Sequence, residues 1–125
     1  MSKTVLAIPS NLPGGLEAEK SNHFGHCEIY TLVTLDNGAV QSVSTLEAVP
    51  HSEGGCFAAV QHLHANGVTA LAAGGMGMRP LMGFADLGIA VYRSVEETTV
   101  SQVVEAFLKG KLPVFQLDNA CQGHH

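Results

Sequence analysis

Basic residues are scarce in this chain: six Lys and Arg stand among 125 residues, against eleven Asp and Glu, for a formal net charge of −5. A nucleic-acid binder normally carries a basic stripe to meet phosphates, and none is present, so no nucleic-acid partner is expected. No apolar run approaches the ~20 residues that span a bilayer, so no membrane partner is expected either. The opening Met1-Ser2-Lys3-Thr4 leads straight into a strand-like run without the pattern of a signal peptide, which makes a cytoplasmic location the expectation. Three cysteines, Cys27, Cys56 and Cys121, are an odd number. No C-x-x-C pair exists, which excludes a zinc-finger pattern. In a reducing compartment, scattered cysteines beside histidines suggest metal binding or reactivity more than disulfides. Acidic residues are missing from the strand-like runs at 4–9 and 68–73. A two-metal nuclease needs such carboxylates on neighbouring strands. No nucleophile elbow and no Ser-His-Asp arrangement appears.

What is present is a chain that is 46% apolar and of a length suited to one domain. Residues 4–9 and 68–73 read as buried strands, and 28–35 as an alternating strand rich in Ile, Tyr, Thr and Val. Asp36-Asn37-Gly38 is a hairpin turn, with 40–46 as its antiparallel partner. Residues 56–66 read as a helix with Cys56, Ala59, Val60 and Leu63 on one stripe. A second helix is expected over 81–87, with Pro80 in its first turn, and a strand over 89–92. Ser94, with Glu97 three residues on, is expected to open the last helix through a capping box, and Gly110 to end it. The order β-β-β-α-β-α-β-α gives a mixed sheet with helices on its faces. One domain over 1–112 is expected, with 113–125 as a short extended segment and a polar Cys/His tail.

Four constellations could carry chemistry. The first, His23-Phe24-Gly25-His26-Cys27, gathers two imidazoles and a thiol, the donors that borderline-soft metals prefer, around a glycine that lets the backbone bend. The second is His51 with Cys56, the latter at a helix start where the dipole favours thiolate; Cys56 is equally readable as a small core residue. His62 and His64 read as solvated or half-buried helix positions. The third is Gly74-Gly75-Met76-Gly77 with Arg79, after a buried strand and before a helix. Free N–H groups and a guanidinium there can face an anion, although the spacing matches neither a Walker nor a dinucleotide motif. A tight turn that needs glycine explains the same residues. The fourth is the tail, Cys121 with His124 and His125, readable as a metal hook or as a plain polar end.

Taken together, residues 5–9, the His23–Cys27 stretch, the glycine loop with Arg79, and Gly88-Ile89 with Val91 resemble the dinitrogenase iron-molybdenum cofactor biosynthesis family. That family includes small accessory and orange-protein-like cluster carriers, and the resemblance covers residues 3–110. It implies a three-layer α/β/α, ribonuclease-H-like fold with a five-stranded mixed sheet and one antiparallel strand. It also implies a non-enzymatic role: binding, carrying or storing an anionic metal-sulfur cluster containing molybdenum and/or iron, with copper as a further metal in some relatives. By position, it places His23, His26 and Cys27 at the cluster, and Gly74, Gly75, Met76, Gly77 and Arg79 on the opposite wall. The implied partners are cluster donor and acceptor proteins; the chain itself is expected to be a monomer or weak homodimer. The residues alone leave two rivals. One is a mononuclear zinc, copper or nickel site built from His26, Cys27, His51 and Cys56. The other is a hydrolase or transferase using the glycine loop for phosphate, for which an obvious base and nucleophile are lacking.

Overall fold

The asymmetry between the first half of the chain, rich in strands, and the second half, where strands alternate with helices, shapes the architecture. A computed structural model describes residues 3–21, 29–48, 55–74 and 78–114, without the side chains of 55–57, 78 and 79. Five strands and three helices follow in the order β1 (Lys3–Ser10), β2 (Ile29–Asp36), β3 (Ala39–Glu47), α1 (Gly55–Ala65), β4 (Ala70–Ala73), α2 (Met78–Asp86), β5 (Ala90–Arg93) and α3 (Val100–Leu108). They build one sheet in the order β3-β2-β1-β4-β5. β2 pairs antiparallel with both β1 and β3, while β4 pairs parallel with β1 and β5 with β4. β2 is therefore the one strand that runs against the other four.

The β2–β3 hairpin turns at Asn37 and Gly38, whose φ values of 54° and 80° are left-handed. Asn and Gly are the residues that reach that region at least cost, and a type I′ turn requires it at both positions.

Alternation in β1 sends side chains to two cores. Ala7 joins Tyr30, Leu32, Val60, Leu63, Leu71 and Phe84 under α1 and α2. Leu6 and Ile8 join Val33, Leu35, Ala72, Val100 and Val103 under α3. With both faces covered, the central strands read as continuous apolar runs. The layers are α/β/α, as expected.

The starts of the last two helices depart from expectation. α2 starts at Met78, so Met78 and Arg79 belong to its first turn and Pro80 is its third residue. Proline is tolerated there, because those first N–H groups have no partner within the helix.

The last helix starts at Val100, not near Ser94. Its N-cap is Thr99, whose hydroxyl accepts from the Gln102 N–H at 3.3 Å, while the Gln102 side chain accepts from the Thr99 N–H at 3.4 Å. The Ser94–Glu97 pair, with the same spacing, serves a different purpose described below. The N–H groups of Val100 and Ser101 donate to Ala18 and Leu16 carbonyls at 2.9 and 2.8 Å, which fastens α3 to the segment after β1.

Candidate functional site

The strand register brings the described residues that flank the chain's candidate segments to one end of the sheet. Ser10, the last residue of β1, lies beside Ile29, the first of β2, and Ile29 lies beside Glu47, the last of β3. On the parallel side, Ala73 ends β4 level with Arg93 at the end of β5. The described residues that flank three segments stand at this end: Ser21 and Ile29 around 22–28, Ala48 and Gly55 around 49–54, and Gly74 and Met78 around 75–77. The helices that follow the last two, α1 and α2, begin here as well. A helix N-terminus carries about half a positive elementary charge, so two such termini favour an anion at this end.

His23, His26, Cys27, His51, Gly75, Met76, Gly77, Cys121, His124 and His125 lie outside the described residues. Gly74 directly follows β4. Cys56 is the second residue of α1 and Arg79 the second of α2, so both stand in first turns at this end. Of the two other histidines, His62 is half-buried with Nε2 2.9 Å from the Glu47 carbonyl, and His64 is exposed. His62 thus ties α1 to the end of β3. Among the described residues, no group of three His, Cys, Asp or Glu side chains could hold a metal ion.

The described structure adds residues that sequence reasoning passed over. Lys20, two residues before the 22–28 segment, is only 6% exposed. Its ammonium donates to the Ser94 carbonyl and, at 3.4 Å, to the Ser94 hydroxyl. That hydroxyl donates to Glu97 Oε1 at 2.6 Å. Burial pushes the Lys20 pKa below its ordinary value, partly opposed by the Glu97 carboxylate.

The backbone continues the connection. The Ser94 N–H donates to the Ala73 carbonyl at 2.9 Å, Lys20 N–H to Thr98 at 2.8 Å and Ser21 N–H to Pro9 at 2.8 Å. Ser94 thereby joins the base of the 22–28 segment to the base of the glycine loop. The only signal in the sequence was a Ser-x-x-Glu spacing, which reads more readily as a helix cap.

Beside this bridge lies an open cavity of about 410 Å³, lined by Asn11, Glu19, Lys20, Ser21, Val95, Glu97 and Thr98. Its two carboxylates, and a lysine already committed to Ser94, make it a poor seat for an anion. The anion-favouring chemistry lies instead with the two helix N-termini.

The class defined by this arrangement is a small α/β domain that gathers strand ends and helix starts at one sheet end, with no catalytic constellation among the described residues. The chain belongs to the dinitrogenase iron-molybdenum cofactor family, whose profile matches residues 3–110. It is 32% identical over 98 residues to the uncharacterized protein MJ0580 of Methanocaldococcus jannaschii, covering 77% of this chain and 82% of that one. A candidate NifB protein from Thermotoga shares the fold with a TM-score of 0.75 at 26% identity, covering 98% of this chain and 99% of the other. The apo form of the orange protein from Desulfovibrio gigas superposes with a TM-score of 0.74 at 22% identity, covering 89% and 92%. Family and fold together suggest a cofactor-binding or carrier role. No helix among the described residues is long and apolar enough to cross a membrane.

Proposed function

We propose that this protein binds an anionic metal-sulfur cluster containing molybdenum and/or iron as cargo, and passes it between a donor and an acceptor protein without turnover. His23, His26 and Cys27 are the proposed ligands. The N–H groups of 74–77 and the Arg79 guanidinium are the proposed contacts to the anionic face. Sulfide-rich clusters suit this division of labour, because a thiolate and imidazoles hold the metal while N–H donors and one fixed cation meet the surface charge. The observation that supports the reading is the common sheet end that holds the residues flanking 22–28, 49–54 and 75–77, together with the starts of α1 and α2. Membership in the family supports this cargo class.

The test is anaerobic isolation without a tag, followed by elemental analysis, acid-labile sulfide determination and a visible spectrum. Molybdenum or iron with sulfide and colour supports the carrier. One colourless divalent ion per chain points to the mononuclear site instead. If the isolated protein is metal-free, reconstitution with cluster decides, and failure to bind rejects the proposal. In the loaded protein, Cys27→Ser should lower cluster retention far more than Cys121→Ser. Equal losses would assign the tail as a ligand source.

A further inference from the structure

The two edges of the sheet are treated differently. β5 is four residues long, carries Arg93, and is covered: Tyr92 bridges to Val114, and the Arg93 N–H donates to the Pro113 carbonyl at 2.8 Å. β3, the other edge, is nine residues long, and every residue but Leu46 is exposed. Among the described residues no strand pairs with its outer side. Natural edge strands are usually blunted by lysine, proline, an inward charge or short length. The stretch Ala39-Val40-Gln41-Ser42-Val43-Ser44-Thr45-Leu46 has neither charge nor proline. A register shift opposite Thr34 and Leu35 disturbs its first residues and leaves 42–47 as a regular ladder. Val40 and Val43, 42% and 38% exposed, add apolar surface along it.

We infer that this edge pairs with the same edge of a second copy, antiparallel about a two-fold axis near Ser44, to continue the sheet across a homodimer. Charge selects this occupant. Two copies that each carry a net −5 must meet where like charges do not oppose, and β3 offers such a line. Two-fold pairing about Ser44 sets Val43 beside Thr45 and Ser42 beside Leu46 of the second copy. Glu47, the charge at the strand's end, falls beside Gln41. Side chains placed opposite one another remain on the same face, so each layer of the fold continues into the other copy. The pairing takes in residues 41–47 of each copy, a seam about 24 Å long at ~3.4 Å per residue, and at roughly 10 Å of sheet thickness it covers about 240 Å² per copy, well under the ~800 Å² of a standard interface. The dimer is therefore weak and concentration-dependent.

Sedimentation equilibrium from about 10 µM to about 1 mM reads this out directly. The wild-type mass should climb from monomer toward dimer over that range. Ser44→Lys and Ser44→Glu each set like charges across the axis, and each should stay monomeric with an unchanged circular dichroism spectrum and melting temperature. An equimolar mixture of the two variants should dimerise, because opposite charges then face one another. A wild type that stays monomeric throughout overturns the inference, including the case in which the edge serves a strand of some other protein. Dimerisation that Ser44→Lys leaves unchanged overturns it too, by moving the interface elsewhere. The result is independent of whether the protein carries a cluster.

Discussion

Replacing Lys20 by methionine tests the bridge beneath the candidate site. Methionine keeps an unbranched apolar stem but removes the ammonium that donates to the Ser94 carbonyl and hydroxyl. Hydrogen bonds to a charged group contribute about 1.5–3 kcal/mol each, and the carbonyl left behind in a buried site adds a desolvation cost. The relief of burying one fewer ammonium offsets part of this. The net expectation is a loss of about 1–3 kcal/mol, which at ~4 °C per kcal/mol lowers the melting temperature by about 4–12 °C.

The pH dependence adds a sign. Burial holds the Lys20 pKa in the folded protein below its ordinary 10.5. Between that depressed value and 10.5 the unfolded chain binds the extra proton, so wild-type stability gains as pH rises through the window. Below the window the full cost of the buried charge remains. The advantage of wild type over Lys20→Met should therefore widen toward alkaline pH. Urea unfolding of both proteins at a series of pH values from neutral upward measures this. A variant as stable as wild type, or a gap that narrows as pH rises, would refute the assignment of Lys20 as a buried charged clamp.

Two further substitutions probe the scaffold. Thr99→Ala removes the N-cap of α3 and should cost about 1 kcal/mol in chemical denaturation; no loss would remove Thr99 from that role. Gly14→Ala should cost about 2–3 kcal/mol, because Gly14 has φ +80° and an added Cβ would lie 2.8 Å from the Thr45 methyl. Thr45→Ser should recover part of that loss. Gly67→Ala, with φ +84° and nothing nearby, should cost only about 1 kcal/mol. Equal losses at Gly14 and Gly67 would mean that the close approach to Thr45 contributes nothing.

Much of the scaffold was legible because local signals and the sheet agree. The Asn37-Gly38 turn fixes the β2–β3 hairpin, and the apolar runs at 4–9 and 68–73 mark strands buried on both sides. Legibility failed where two segments carried the same local signal. Ser94-x-x-Glu97 and Thr99-x-x-Gln102 both fit a capping box, and tertiary context decided between them: Lys20 reaches across 74 positions to hold Ser94, while Val100 and Val103 supply the buried stripe of α3. The strand expected from residue 68 begins at Ala70, because the Val68 N–H is spent on the Leu63 carbonyl in the turn after α1. The candidate ligands were legible as residue types, but Lys20 was not. A lysine between Glu19 and Ser21 looks like ordinary surface until the 94–98 segment covers it.

The fastening of α3 to residues 16–20 also bears on the order in which the chain can fold. The β2–β3 hairpin closes over a two-residue turn, whereas β1 and the 68–69 segment meet at a separation of 64 positions and Lys20 and Ser94 at 74. Loop closure over such spans costs entropy before any contact returns it, and long-range pairing slows folding. By this argument the hairpin is the expected nucleus, and α3 the element expected to dock last. A nascent chain that has not yet released residues 94–108 from the ribosome leaves Leu6, Ile8, Val33 and Leu35 without the cover of α3, so this face of the sheet is closed only when synthesis of the domain is nearly complete.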